Sequence, residues 1–533
     1  MKKIFIILFF LPLFACDDWL DIESEKSVTY LNFFKSEQDL ESTLISMFGF
    51  EKNICASSMV HPFGWCGLQC DSLADNEGYR ELDPQSFMSK MYMLSWSQNY
   101  KAIYLANMLE ENRFRFENIS EERADYWIAQ ANFIKAFAYF NVAQNWGDAP
   151  LAQPTESTEA VGKSPVDSLF AQALRAAEKA LILPTYDKLT DAHGDAVTSK
   201  QYASLGTVHT LLANIYAWMG GLYDKEEYWK KAEEHASLVI DGKVGGYKLE
   251  LTVADMVKNT LGPVRKSNET IFSIAVNNED ENRTAQVSFY PIYPGQALIN
   301  YPYSPTNYTD IEDPGQKKML VATVEKIFPE EADTRRKEYW KDLGQQVTQW
   351  EYIYDEETWE VVDSVPYAYS EYAFINKWSE PYYSTDQSVI EHNKGIAPLL
   401  AMEGDRVVWR LADLILLRAE CRARLNMAKP AKDDLDAIRV RAGLEGYEGS
   451  GTADIEELRK EIFHEREREL FGEGQRYYDI VRNGYFRTEL SSVYKSLTDA
   501  DVKGGALYLP VARNSFEKNT LMKQNSYWLW HQQ

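Results

Sequence analysis

The stretch "EIFHERERELFGEGQRYYDIVR", residues 461–482, contains six carboxylates and four arginines. Such a density of acids would suit either the acid and base of a hydrolase or a set of structural ion pairs. An apolar stripe enters the stretch in steps of three and four residues, through Ile455, Leu458, Ile462, Arg466, Glu469 and Glu473. In a helix this spacing keeps the later charges on the core-facing side.

Oppositely charged residues lie close to these core-facing carboxylates in the sequence. They are Arg466, Arg468, Arg476 and Arg482, and a further acid, Asp479, lies beyond Gly472 and Gly474. Because unpaired ions are costly to bury, we predict an ion-pair cluster that stabilises the fold. A glycosidase pair of carboxylates across a cleft is the alternative, which the many acids of the chain leave open.

Composition indicates a globular protein without nucleic-acid partners. The chain has 533 residues, of which 45% are hydrophobic and 13% aromatic, and its net charge is −25. That charge would repel phosphates. The sequence has no GxSxG, HExxH, P-loop or dinucleotide fingerprint, and its seven histidines have no zinc-like spacing. We therefore expect no enzyme and no cofactor; acidic loops such as "DIEDPG" (310–315) could hold calcium, but no EF-hand spacing occurs.

The N-terminus, "MKKIFIILFFLPLFAC", has the pattern of a secretory signal. Two lysines precede an apolar run that is too short to span a bilayer. The end of this segment, "LFAC", resembles a bacterial lipobox, which implies cleavage before Cys16 and a lipid on its sulfur. Loss of residues 1–15 removes two lysines and no acids, so a charge of −25 becomes −27. The acidic segment that follows Cys16 resembles the surface-export signal of Bacteroidetes lipoproteins.

Several long segments have helical periodicity, and most of them end at or next to glycine or proline. They are residues 122–147, 166–184, 199–221, 226–242, 405–426 and 428–444. Tight breaks arrange them as pairs with small residues facing one another, which is typical of tetratricopeptide-like repeats. We predict an all-α scaffold, with an irregular helical bundle as the alternative. Residues 245–400, rich in tyrosine, proline and glycine, are predicted to form an inserted loop-rich lobe with short strands.

Four further cysteines follow Cys16. Cys55, Cys66 and Cys70 are close together in the sequence, whereas Cys421 is distant. With His61 they give only a weak metal-site pattern, so we expect buried thiols or one disulfide.

The order of motifs along the chain resembles that of the SusD/RagB family of outer-membrane nutrient-binding lipoproteins. After the lipobox the matching segments are "DDWLDI" (17–22), "NFFKSEQDLESTLISMF" (32–48), "WSQNYKAIYLANMLEE" (96–111), "ERADYWIAQANFIKAFAYFNVAQNWGDAPL" (122–151), "VWRLADLILLRAECRARLN" (408–426), residues 461–482 and "LYLPVARNSFEKNTLMKQNSYW" (507–528). Asn514 and Ser515 stand where an acidic residue is more usual.

The resemblance implies an all-α fold with tetratricopeptide-like helix pairs and a variable, loop-rich face. It divides the chain into a signal peptide, residues 1–15, and one domain, residues 16–533. Within this domain we expect N-terminal helix pairs at about 30–240, the variable lobe at about 245–400 and the C-terminal helix pair with the family motif at about 401–533. The implied role is capture of glycans, or less often peptides, and delivery to a SusC-like TonB-dependent transporter. A protein-interaction scaffold is a third reading.

Aromatic side chains in polar loops are the candidate ligand contacts, because sugar rings stack on aromatic faces while amides and charges bind their hydroxyls. In residues 61–84 the candidates are Trp65, Asp75, Asn76, Tyr79 and Arg80. The later candidates, from residues 288–308 and 367–384, are Tyr290, Tyr293, Tyr301, Tyr303 and Trp378. Burial in the core is the alternative for Trp65, and contact with the scaffold or the transporter is the alternative for the tyrosines. Trp96 is predicted to be a core residue.

Overall fold

The computed structural model describes residues 33–60, 73–74, 95–276, 303, 318–341, 343–344, 347–355, 358, 360–369, 372–392, 395–449, 455–490, 492–517 and 519–529. In these ranges the fold is all-α, as predicted. The helices of eight or more residues are α1 (Glu37–Val60), α2 (Ser97–Glu111), α3 (Glu121–Trp146), α4 (Val166–Ala180), α5 (Leu205–Tyr223), α6 (Glu226–Ile240), α7 (Leu411–Arg424), α8 (Ala428–Arg441), α9 (Ile455–Glu469) and α10 (Arg476–Asn483).

Short helical segments complete the helical part. They are Val253–Met256, Val321–Ile327, Arg335–Glu338, Gln387–His392, Phe486–Glu489, Ser492–Lys495, Asp499–Lys503 and Ser526–Leu529, with a π-helical turn at Val257–Leu261 and 3-10 turns at Arg113–Arg115, Tyr186–Lys188 and Arg513–Ser515.

Helix α3 shows how local sequence sets helix boundaries. The side chain of Ser120 accepts a hydrogen bond from the backbone N–H of Arg123 at 3.2 Å, and two glutamates occupy the first turn. The helix stops at Gly147, whose φ of 69° lies in the left-handed region. Buried side chains surround α3 on nearly all sides, including many alanines, so neighbouring helices approach it closely.

The helices pack in the predicted pairs. α3 contacts α2 and α4, α5 contacts α6, and α7 contacts α8 and α9. Helix α7 also packs against α6, although 170 residues separate the end of α6 from the start of α7. The C-terminal helix pair therefore continues the N-terminal array, and one large hydrophobic core runs through both.

Short strands occupy the lobe between α6 and α7. They are β1 (Leu73–Ala74), β2 (Thr270–Ile274), β3 (Lys318–Leu320), β4 (Trp340–Lys341), β5 (Val347–Tyr354), β6 (Val361–Tyr369), β7 (Tyr372–Ile375), β8 (Pro381–Tyr383), β9 (Leu399–Met402) and β10 (Arg406–Arg410), with β1 preceding the lobe in sequence. All pairs are antiparallel: a four-stranded sheet in the order β1-β3-β7-β4, and the ribbons β2–β10, β5–β6 and β8–β9. A second hydrophobic core lies beneath the four-stranded sheet.

Gly221 lies where α5 approaches α10 closely. A Cβ atom at this position would overlap the carbonyl oxygen of Arg482 and lie 2.6 Å from its Cγ. We expect Gly221→Ala to lower the free energy of unfolding by about 2–3 kcal/mol, because packed backbone cannot move aside cheaply. Gly246→Ala is the control, since a Cβ there meets no atom within 4 Å. Equal urea midpoints for the two variants would contradict the packing.

A histidine pair joins α5 to α6. The Nδ1 atoms of His209 and His235 are 2.9 Å apart, so the Nδ1–H of one ring donates a hydrogen bond to Nδ1 of the other. Burial, followed by the charges of His209 and Lys231, lowers the pKa of His235 to about 4, and burial also lowers the pKa of His209. The ring of Tyr216 stacks on His235 at a centroid distance of 5.7 Å.

We expect the stability of the protein to decrease as the pH falls from about 6.5 towards about 4. In this window the unfolded chain binds protons that the folded histidine pair excludes. His235→Gln should flatten this part of the pH dependence of the urea midpoint. His193→Gln, at an exposed position, should leave it unchanged. A wild-type slope that persists in His235→Gln would show that other groups cause it.

Candidate functional site

The charged face of α9 is buried at the junction of the helical scaffold and the lobe, as predicted. One carboxylate oxygen of Glu469 accepts a hydrogen bond from Arg410 at 2.6 Å and another from Arg441. The second oxygen lies 3.3 Å from a guanidinium nitrogen of Arg335. The backbone carbonyl of Glu469 accepts bonds from Arg410 and from the ammonium of Lys377. Every oxygen of this residue therefore has a cationic partner.

The neighbouring carboxylates are paired in the same way. Glu473 binds Arg410 and Lys377, and Glu465 binds Arg335 and Arg468. Further pairs connect α7, α9 and α10: Arg466 with Asp413 and Asp479, and Arg482 with Glu420 and Asp479. Charges of opposite sign alternate throughout, so the cluster neutralises itself.

The electrostatics of Glu469 do not suit acid–base chemistry. Burial favours its neutral form, but Arg441, Arg410 and Arg335 outweigh this effect and hold its pKa well below the ordinary value. The pKa values of Glu465, Glu473 and Asp479 are lowered for the same reason. A catalytic carboxyl needs access to substrate and a pKa near the working pH. Glu465, Glu469 and Asp479 have neither, and both oxygens of Glu473 are bound by cations, so the interpretation as structural ion pairs is confirmed.

Removal of the Glu469 charge should damage folding. We expect Glu469→Gln to lower the free energy of unfolding by about 3–5 kcal/mol, because three guanidinium groups would then share an uncompensated buried charge. Since the folded-state pKa is lowered, the contribution of Glu469 exists above the pKa of the unfolded chain and is lost on acidification. Glu457→Gln, an exposed change in the same helix, is the control for the urea midpoint. A loss below about 1 kcal/mol would contradict the structural role.

Most of the predicted ligand contacts lie outside the described residues. They are Trp65, Asp75, Asn76, Tyr79, Arg80, Tyr290, Tyr293 and Tyr301, and Cys16, Cys66 and Cys70 are outside as well. Their roles remain predictions. Of the predicted contacts, the structure describes Tyr303 and Trp378.

The prediction that Trp378 presents an exposed ring to a ligand is wrong. Trp378 is 5% exposed and belongs to the second hydrophobic core, together with Tyr339 and Ile375. Trp378 comes three residues after the end of β7, and it shares this core with Ala373 and Ile375 of that strand. The indole therefore fills the interior and presents no face for stacking. Its neighbour in this core, Tyr339, is also fully buried.

Tyr303 is half-buried at the edge of that core. Its hydroxyl donates a hydrogen bond to Oδ1 of Asn376 at 2.7 Å, and its carbonyl accepts one from the hydroxyl of Tyr383 at 2.7 Å. Both polar ends are thus occupied by the lobe itself. These bonds hold the residue in place, and its role in ligand binding remains a prediction.

An aromatic groove lies between α1, α2 and the C-terminal segment that contains Asn514 and Ser515. Its volume is about 560 Å³. Its lining consists of aromatic and apolar residues, small polar residues and one lysine: Phe50, Trp96, Tyr100, Tyr104, Leu105, Pro150, Ser95, Ser97, Asn514, Ser515 and Lys101. This composition, apolar faces with a few polar groups, is typical of ligand sites.

The floor of the groove is rigid and its rim is open. Trp96 is only 8% exposed, which confirms it as a core residue, and it packs edge to face at 6.0 Å against both Tyr100 and Trp146. Tyr100 donates its hydroxyl to the carbonyl of Pro150 at 2.5 Å, and burial raises its pKa well above the usual value. Tyr104 is 48% exposed. The ring at the rim therefore meets solvent while those beneath it are fixed.

The sequence contained a signal for this groove that was not recognised. Trp96, Tyr100 and Tyr104 are spaced four residues apart, which places them along one face of α2. Residues 61–84, which hold five predicted contacts, belong to the connection between α1 and α2, and both helices line the groove. The two helices that line the groove therefore flank the first predicted region in the sequence.

The described residues give no sign of a metal centre or a membrane-spanning helix. No group of three or more histidine, cysteine or acidic side chains is placed to hold a metal ion in this part of the chain. None of the helices found there is long and apolar enough to cross a bilayer. Cys55 and Cys421 are buried, and burial raises the pKa of the Cys55 thiol to about 12.

Comparison with known proteins assigns the chain to a family. Residues 264–528 match the model of the SusD family, and residues 18–205 match a family described as "Starch-binding associating with outer membrane". The chain belongs to the SusD/RagB family, as its motifs predicted. Neither family description names a reaction.

Two curated relatives come from Formosa agariphila. SusD-like protein P25 is 22% identical over 96% of this chain and 95% of its own length, and SusD-like protein P38 is 23% identical over 88% of each. Among solved structures, a SusD homolog from Bacteroides thetaiotaomicron is 21% identical and covers 93% of this chain and 99% of its own, with a TM-score of 0.70. NanU from B. fragilis is 16% identical with a TM-score of 0.65, covering 94% and 99%. These structures share the fold.

Proposed function

We propose that this protein is a cell-surface lipoprotein that captures glycans and delivers them to a SusC-like TonB-dependent transporter in the outer membrane. The aromatic groove between α1 and α2, in a member of the SusD family, is the observation that carries the proposal. The family description of starch binding in association with the outer membrane supports both the ligand class and the location. In this proposal Cys16 carries the lipid anchor, and the protein faces the exterior.

The groove offers what a sugar chain requires. The apolar C–H face of a pyranose ring packs on an aromatic face, and the exposed ring of Tyr104 supplies one at the rim. Asn514 and the serines supply hydrogen-bond donors and acceptors for hydroxyl groups. Because Trp96 and Tyr100 are already fixed by packing, little side-chain entropy is lost on binding there. Capture is a reversible binding equilibrium, with no bond made or broken.

Peptide capture is the second candidate function. The calculated charge of −27 after signal cleavage would attract basic peptides over long distances, and tyrosine-lined surfaces also bind peptides. The two functions differ in ligand chemistry and can be separated by direct binding measurements.

Titration calorimetry of the mature chain against a panel of oligosaccharides and peptides tests the proposal. We expect binding of at least one glycan, and about tenfold weaker binding after Tyr104→Ala because a stacking face is lost. Trp65→Ala should also weaken binding. Both variants should keep the wild-type melting temperature.

Phe114→Ala is the matched control, since Phe114 is 84% exposed and does not line the groove. Peptide binding without any glycan binding would overturn the proposed ligand class. Co-purification of the lipidated chain with a TonB-dependent transporter from outer membranes tests the delivery step.

A further inference from the structure

The groove is a local exception to the acidic character of the chain. The protein contains 81 acidic and 56 basic residues. Among the described residues that line the groove, however, Lys101 is the one formally charged side chain, and no aspartate or glutamate occurs. The described lining therefore has a charge opposite in sign to that of the molecule.

Lys101 is an exposed residue of α2 that lines the groove. It lies one residue after Tyr100 and three before Tyr104, and its Nζ is 5.8 Å from the ring centroid of Phe50 on the opposite wall. No carboxylate of the described residues lies within 4.0 Å of this nitrogen, whereas Lys135 and Lys179 both pair with Glu110. The ammonium group thus faces the groove without an internal counter-ion in the described part of the chain.

The start of α2 adds to the positive character of this wall. Its first turn contains no acidic residue, and Trp96, in the N-cap position, provides no side-chain hydrogen bond, although the N–H of Ser97 donates to Oγ of Ser95 at 3.2 Å. The backbone N–H groups of a first helical turn carry partial positive charge, and a lysine close to them is unfavourable unless an anion is present. An anionic group in the groove would interact favourably with both.

We propose that the groove selects acidic glycans, in which a carboxylate such as that of a uronic acid accompanies the sugar rings. This inference rests on the proposed glycan-binding function and specifies the ligand class. The sugar ring stacks at Tyr104, the carboxylate pairs with Lys101, and Asn514 and Ser515 bind hydroxyl groups from the other side. A basic peptide would meet Lys101 with like charge, so the groove disfavours the second candidate function.

The net charge of the molecule opposes this selectivity but does not reverse it. Charges spread over the surface are screened beyond about 8 Å at physiological ionic strength. A carboxylate in contact with Lys101 is closer than this distance, and it approaches through a wall without described acids. The local attraction therefore decides the preference of the site, whereas the global charge mainly slows the encounter.

Matched pairs of ligands provide the test. Pentamers of galacturonate and mannuronate, and their carboxyl-reduced neutral counterparts, are titrated calorimetrically into the mature full-length chain at physiological ionic strength. We expect at least one acid pentamer to bind roughly tenfold more tightly than its neutral counterpart. Lys101→Gln should remove this difference, and Lys101→Arg should retain it. Lys230→Gln, an exposed change on α6 outside the groove, is the control.

Three results would contradict the inference in different ways. Equal binding of acidic and neutral pentamers, or binding of neutral glycans alone, would overturn acidic selectivity and leave glycan capture intact. A preference for acids that survives in Lys101→Gln would place the anion site elsewhere. Absence of binding by every glycan of the wider panel, with peptides bound, would overturn the proposed function itself.

Discussion

The burial of Glu469 is the constraint on which the arrangement of the helices and the lobe depends. Its carboxylate is fully shielded from bulk solvent, so arginines must reach it from separate parts of the chain. They come from the lobe (Arg335), the end of β10 (Arg410) and the end of α8 (Arg441). Since removal of any one partner leaves an unbalanced ion in the interior, these elements keep a single relative position.

This arrangement separates stability from recognition. The charged residues that appear most reactive in the sequence pair with one another within the junction. The lowered pKa values of Glu469 and Glu465 keep these carboxylates ionised and paired. The groove uses other means: rings held by edge-to-face packing, a hydroxyl committed to Pro150, and one lysine at the surface. A ligand can thus bind at α2 without disturbing the ion pairs, because none of the residues that line the groove belongs to the cluster.

Individual residues show how far sequence reasoning reaches. Helical spacing correctly placed Glu469 in the interior, and small residues correctly indicated the close packing of α3. Trp378 was misplaced because an aromatic residue among prolines and tyrosines looks the same whether it lies on a loop or beneath a sheet. Tyr104 was overlooked because its exposure depends on how α1, α2 and the C-terminal segment meet, although its spacing from Trp96 was visible. Periodicity identifies a face of a helix, but not what covers that face.

The sequence by itself determined the all-α class, the helix pairs, the family and the pairing of charges in residues 461–482, because these follow from short-range spacing and from the cost of buried ions. Tertiary structure decided which aromatic rings are exposed and which fill a core. It also brought Lys101 opposite Phe50 and removed acids from the described walls of the groove. These properties depend on contacts between residues far apart in the chain, and no local pattern encodes them.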